Sequence, residues 1–268
     1  MSTQIRGVKA DFDQKNAVEA KPSASVILMR DSSNGPEALM LKRSEGLSFS
    51  PGLWVFPGGA LDPEEVAEIS SEEEKRSEDA FKLAALRETF EESRVLLARH
   101  DDNEPTIDST CYEDFCRQHD WPRLPQHFNL VAQLAKVNWQ LNLTALTHLS
   151  TWTTPLQAKK RFLTRFYVAR MPQGQTASCD GSETVEARWQ SLATLKSEID
   201  QGTLKLMFPT EMNITWLSQF DSLAELEAAL VNHVAPSVMP RMEKHPEGVM
   251  LNIPTEAGYG ISQRLMRM

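Results

Sequence analysis

The sequence predicts an α/β protein with strands and helices interspersed, and three observations predict it. Two apolar runs, Ser23–Arg30 and Ala38–Arg43, flank the turn-forming stretch Asp31–Pro36, the pattern of a β-hairpin. The stretch Arg87–Val95 is strongly helical and sets Glu88, Glu91 and Glu92 on one face, opposite Leu83, Leu86 and Phe90, at about 100° per residue. Beyond it, strand-like and helix-like segments follow one another as far as His233, which suits a sheet covered by helices.

Taken in order, residues 1–22 are polar and mixed and read as a loose leader before the domain at 23–235. The hairpin leads into Phe56-Pro57-Gly58-Gly59, a tight turn, and then into the stretch Asp62–Glu78, rich in Glu and Ser and read as a solvated loop. A helix is expected from about Ser77 to Ala98, with Ser77 as N-cap and Asp79 in the first turn. Residues 101–146 read as a helix-rich insertion: Tyr112–His119 as one helix, then Pro122 and Pro125, then Phe128–Leu141 as another. Thr147–Trp152, Lys160–Ala169 and Glu183–Trp189 read as strands. Leu192–Gln201 reads as a helix ended by Gly202. Two more helices follow, one capped by Thr210 and running to Phe220, the other at Ser222–His233 with a capping-box start. The tail at 236–268, expected to pack on the domain, carries two short apolar strand-like runs around Met239 and Met250.

Composition bounds the function. With 41% apolar and 24% charged residues, 268 residues make an ordinary globular chain with an ample core. A net charge of −9 opposes binding of nucleic acid or an anionic membrane by bulk electrostatics. Three scattered cysteines, Cys111, Cys116 and Cys179, suggest reduced thiols, and no run is apolar enough for a span. The expected compartment is the cytoplasm.

Three carboxylates on one helical face repel one another unless a cation joins them, and an all-oxygen set suits Mg²⁺ or Mn²⁺. The order Gly58-Gly59 … Arg87-Glu88-x-x-Glu91-Glu92 resembles the Nudix box. The stretch from Gly59 to Arg87 is twice as long as in the box, Asp79 stands at the box's isolated Glu, Thr89 at an apolar position and Arg94 at the closing Gly. Just upstream, Leu39, Arg43, Ser44, Gly52, Phe56, Pro57, Gly58 and Gly59 are in register with a motif of coenzyme A diphosphatases. Ser48 replaces one of its arginines. Trp152-x-Thr154-Pro155 and Arg161-Phe162-x-Thr164-x-Phe166-Tyr167 are similar to the peroxisomal branch of those enzymes and its bacterial cousins, with Leu163 departing.

The resemblance implies a Nudix fold, a mixed sheet sandwiched between helices. It also implies hydrolysis of the diphosphate of coenzyme A or an acyl-CoA, with Mg²⁺ or Mn²⁺ as cofactor. Glu88, Glu91 and Glu92, with the carbonyl of Gly59, are the expected metal ligands, and Arg87 orients the glutamates. Glu183 or Glu186 supplies a further ligand or the general base, or else belongs to a surface strand paired with Arg188. Arg43, Ser44, Gly52, Phe56 and Arg161 are the expected substrate contacts. Arg161 and Arg165 meet phosphates or pair with surface carboxylates. In relatives the 101–146 region helps shape the acyl or pantetheine end; plain structural helices are the alternative. Two other readings stay open: a Nudix hydrolase of ADP-ribose or a dinucleotide, and a non-catalytic nucleotide-binding module. A homodimer is the expected assembly.

Overall fold

The structure, a computed structural model, describes all residues except 1–2, 6–7, 13–17, 48, 64–73, 101–106, 126–127 and 268. Its centre is a mixed sheet built around the hairpin of β3 (Lys21–Ser32) and β4 (Gly35–Arg43). Both strands are near-continuous apolar runs because both faces of the sheet are covered. Ala24, Val26 and Leu28 of β3 point into one core, and Ile27 and Met29 into the other. This is the period of two that a strand imposes.

Two short strands extend the hairpin: β5 (Trp54–Val55) pairs with β4, and β6 (Gly58–Ala60) with β3. The remaining neighbours are β9 (Thr147–Thr153), β10 (Phe162–Arg170), β11 (Thr184–Ser191) and β12 (Ser237–Val238), in the order β11-β4-β3-β10-β9-β12. Only β10 on β3 and β12 on β9 run parallel.

Helix α1 (Glu74–Ser93) covers one face through Phe81, Ala84, Leu86 and Phe90. It ends before the expected Ala98, because Arg94 adopts a left-handed backbone (φ 66°). The buried run Val95–Leu97 then leads into β7 (Ala98–His100). Helix α1 also begins earlier than expected, at Glu74, so Ser77 lies inside it instead of capping it and the end of the expected loop, 74–78, is helical. Residues 64–73 of that loop lie outside what is described. In the insertion, α2 (Ser109–Gln118) is capped by Asp108. The second expected helix is shorter, α3 (Leu130–Ala135). Asn138 turns the chain (φ 57°), and the apolar Trp139–Leu141 becomes β8, paired with β7. The insertion packs behind α1: Phe90 stacks on Phe128 and meets Phe115 edge-on.

The other face carries α4 (Leu192–Gln201), α5 (Phe208–Leu217) and α6 (Leu223–Leu230). Gly202 ends α4 at φ 69°, and the Ser222 side chain accepts from Glu225 N at the start of α6. Thr210 is not the cap of α5. Met207 stands there, and Pro209 supplies the first-turn rigidity. The tail forms a three-stranded antiparallel sheet, β13 (Arg241–His245), β14 (Gly248–Asn252) and β15 (Gln263–Arg267), whose Met242, Leu251 and Met266 join the same core as α5. Within the expected leader, β1 (Thr3–Ile5) pairs with β2 (Val8–Ala10), Asp11 N donates to Gln157 O, and β3 already starts at Lys21. Among the described residues no helix is long and apolar enough to cross a membrane.

Candidate active site

The expected metal face is where α1 meets β6. Pairing of Gly59 with Ala24 and Gly58 with Ser25 lays the Gly-Gly turn against the helix. Glu92, 6% exposed, accepts from Gly58 N at 2.9 Å. Arg87 Nη1 donates to Glu88 Oε1 (2.9 Å) and Glu91 Oε2 (3.2 Å), while Nη2 reaches Ala60 O at 3.2 Å. Charge-assisted bonds of this kind fix both carboxylates relative to the turn.

Electrostatically, Arg87 and Arg43 do not offset the cost of burying the three carboxylates. Burial pushes the Glu88 carboxyl above its ordinary range, against the pull of Arg87. Burial, again opposed by Arg87 and joined by the Glu88 charge, pushes Glu91 up to about 7. Glu92 is pushed well above the usual range, first by burial and then by Glu88. Groups held this way favour a proton or a metal ion.

The donor set therefore fits a hard divalent cation. At Gly59 the turn closes so far onto Glu88 that a β carbon would overlap its carboxyl group. Among the described residues no three His, Cys, Asp or Glu side chains converge as a ready-made cage. Arg87 stands between two of the glutamates, and Glu92 is turned to the Gly58 amide.

These residues open onto one cavity of about 560 Å³, within the range of small-molecule sites. Arg43, Phe56, Gly59, Glu88, Glu91, Glu92 and Glu183 all line it. Arg43 Nε donates to Phe49 O at 3.3 Å, and its charge favours the ionised form of Glu92. Glu183 is held at the rim by Asp180, which accepts from Glu183 N at 2.9 Å and Thr184 N at 2.7 Å. Glu186 is exposed and off the cavity, and Arg188 pairs with Glu198 instead of either glutamate.

Three expected substrate contacts are not brought to the cavity wall. Ser44 supports Glu183, its N–H donating to the Glu183 carbonyl at 2.8 Å. Gly52 turns the loop at φ 67°, against the Glu45 carboxylate. Arg161 is 8% exposed and spends its guanidinium on Thr154 O (3.0 Å) and Val18 O (2.6 Å). Its neighbour Lys160 does line the cavity, as Arg43 does. In a strand-entry segment, one position decides whether a side chain faces site or core. Arg165 pairs with Glu78 of α1 and lies 4.2 Å from the Phe81 ring centroid. Asp79 is off the cavity, and Ser48 lies outside the described residues. Sequence reasoning also missed the far wall, formed by Met242, Leu251 and Met266. Their short apolar runs signalled burial but not a ligand.

Comparison with known proteins bears on this geometry. The family model described as NUDT19 Nudix domain matches residues 68–216. Putative nudix hydrolase 7 of Caenorhabditis elegans is 28% identical over 200 residues, 74% of this chain and 61% of its own length. The chain thus spans less than two thirds of that relative. Acyl-coenzyme A diphosphatase NUDT19 of Xenopus laevis is 23% identical over 273 residues, 83% of this chain and 71% of its own. The crystal structure of a NUDIX hydrolase from Alicyclobacillus acidocaldarius matches with a TM-score of 0.64 at 24% identity, covering 81% of this chain and 98% of that one. That likeness shows the shared fold.

Proposed function

Since the chain belongs to the Nudix hydrolase superfamily, in the family of the NUDT19 Nudix domain, we propose that it cleaves the diphosphate bond of coenzyme A or an acyl-CoA. The products are phosphopantetheine, or its acyl form, and adenosine 3′,5′-bisphosphate. One observation carries the reading: the buried Glu92, the half-buried Glu88 and Glu91, and Arg43 share a single cavity with an apolar wall. The first group suits a diphosphate, and the wall suits an apolar extension of the same molecule. The name of the Xenopus laevis relative supports the same substrate class.

Glu88, Glu91 and Glu92, with the carbonyl of Gly59, would hold a divalent cation, Mg²⁺ or Mn²⁺. When bound, the cation neutralises the diphosphate oxygens and so permits attack by water. Arg87 positions Glu88 and Glu91 through its two hydrogen bonds. Arg43 and Lys160 bring positive charge to the cavity wall and bind phosphate oxygens. Glu183, at the rim near Glu88 and Glu92, takes the proton of the attacking water; the phosphorus–oxygen bond to the leaving phosphate breaks as the new one forms. The apolar wall excludes bulk water from the charged end. We place the enzyme in the cytoplasm, in keeping with its three free cysteines, and expect a homodimer.

The test is product analysis by mass spectrometry with Mg²⁺ and, separately, Mn²⁺. Coenzyme A, acetyl-CoA, ADP-ribose and NADH are offered, with Glu91→Gln as control. Adenosine 3′,5′-bisphosphate formed by the wild type alone supports the reading. AMP from ADP-ribose or NADH with coenzyme A untouched overturns the substrate and keeps the chemistry.

A further inference from the structure

The cavity has two unlike ends. At one stand the carboxylates of α1; at the other β13–β15 close the space with Met242, Leu251 and Met266, which are 6%, 6% and 3% exposed. Trp152 also lines the cavity, its ring 5.7 Å from that of Phe208.

The hydroxyls along the cavity are largely committed to the protein. Ser23 and Thr164 share a hydrogen bond at 2.6 Å, Ser25 Oγ donates to Pro57 O at 2.9 Å, and Thr154 Oγ1 donates to Phe162 O at 3.3 Å. A base or sugar pushed against such a wall would leave polar atoms unpaired. A methylene chain loses no hydrogen bond there and gains contact with every carbon. Two of the wall residues are methionines, unbranched and deformable, which suit a flexible chain of variable length. The helical insertion at 101–146 contributes no described residue to this cavity; it packs behind α1.

We propose that the C-terminal three-stranded sheet gauges chain length: Met242, Leu251 and Met266 receive the acyl chain of an acyl-CoA whose diphosphate lies at Glu88, Glu91 and Glu92. This assignment rests on the reading above that coenzyme A esters are the substrates. It makes the tail, rather than the helical insertion, the determinant of acyl specificity.

The experiment measures kcat/KM of the full chain for free, acetyl-, hexanoyl-, octanoyl-, decanoyl- and palmitoyl-coenzyme A. Adenosine 3′,5′-bisphosphate is the readout. Affinities of the same ligands are titrated by tryptophan fluorescence in EDTA. Met266→Trp and Met242→Trp shorten the apolar end, and Met266→Leu changes its shape at nearly constant volume; circular dichroism checks each fold. In the wild type, kcat/KM should rise roughly twofold to fourfold per buried methylene until the chain fills the cavity. The octanoyl-to-free ratio should fall at least tenfold in a folded Trp variant, and the optimum length should shift in Met266→Leu. A wild-type profile flat in chain length, or ratios unchanged in all folded variants, overturns the gauge. If no coenzyme A ester is cleaved, the substrate reading fails and the titrations decide the gauge. Affinity that climbs with chain length in the wild type but not in Met266→Trp upholds it, and affinity independent of chain length overturns it.

Discussion

Gly59 and Glu88 share space that only a glycine leaves free: a β carbon at position 59 would overlap the Glu88 carboxyl group. The strand bearing the Gly-Gly turn is thereby pressed onto the helix that bears the glutamates. Gly59→Ala should displace the flexible end of Glu88 and lower kcat by at least tenfold, while thermal stability changes little. Gly58→Ala should behave differently. There φ is 155° and an added carbon would lie 2.7 Å from Ser25 Cα, so backbone must move, at a cost of about 1–3 kcal/mol of stability. Melting curves and initial rates of the two variants separate the effects.

Glu88→Gln, Glu91→Gln and Glu92→Gln should each reduce turnover roughly 10²-fold or more, a few kcal/mol of lost transition-state stabilisation. None should unfold the metal-free protein, because each replaces a carboxyl that burial already disfavours as an anion. Glutamine at 92 can still accept from Gly58 N. An inactive variant that melts at or above the wild-type temperature in EDTA is the expected result.

The Glu91 carboxyl sits at about 7 in the metal-free protein, above its ordinary value of 4.5. The folded state therefore binds a proton more readily than the unfolded state between those values. This contribution is fully present below pH 4.5 and is lost as pH rises through 7, on the order of 2 kcal/mol at most. In EDTA, melting temperature should rise as pH is lowered from 8 to 6, and the slope should shrink in Glu91→Gln. Saturating Mg²⁺ should flatten it, since the cation replaces the proton.

Lys160 and Arg161 are neighbours with opposite consequences. Lys160→Ala should raise KM several-fold and leave folding untouched, because the ammonium lines the cavity from an exposed position. Arg161→Ala should mainly destabilise, by about 2–3 kcal/mol, because it orphans the carbonyls of Thr154 and Val18. Steady-state kinetics and urea denaturation on both variants distinguish a substrate contact from a strut.

Arg94 carries φ 66° where a glycine would be unstrained. Its side chain offsets this by pairing with Glu113 at 2.6 Å and approaching the Tyr112 and Trp121 rings. Arg94→Gly should then be close to neutral. Arg94→Val, which keeps the strain and loses the partners, should cost about 1–3 kcal/mol in urea denaturation.

The metal face was legible because it is local: Glu88, Glu91 and Glu92 share one face of one helix whatever else the chain does. The hairpin and α4 were legible for the same reason, each carrying its own turn or cap. Errors fell where a long-range partner decided the outcome. Trp139–Leu141 looked helical by its apolar spacing, but β7 offered a strand to pair with. Thr210 looked like a cap, yet Met207 already occupied that place before Pro209.

By itself, then, the sequence determined the α/β class, the Gly-Gly turn, the glutamate face and the Arg43 to Gly59 register. These rest on periodicity and on contacts a few residues apart. Only the tertiary structure decided that Lys160 rather than Arg161 faces the cavity, that Glu183 rather than Glu186 reaches its rim, and that the tail closes its apolar end. Each of those choices is a matter of which side chain points inward once distant strands have paired, and a one-residue change of register would reverse it.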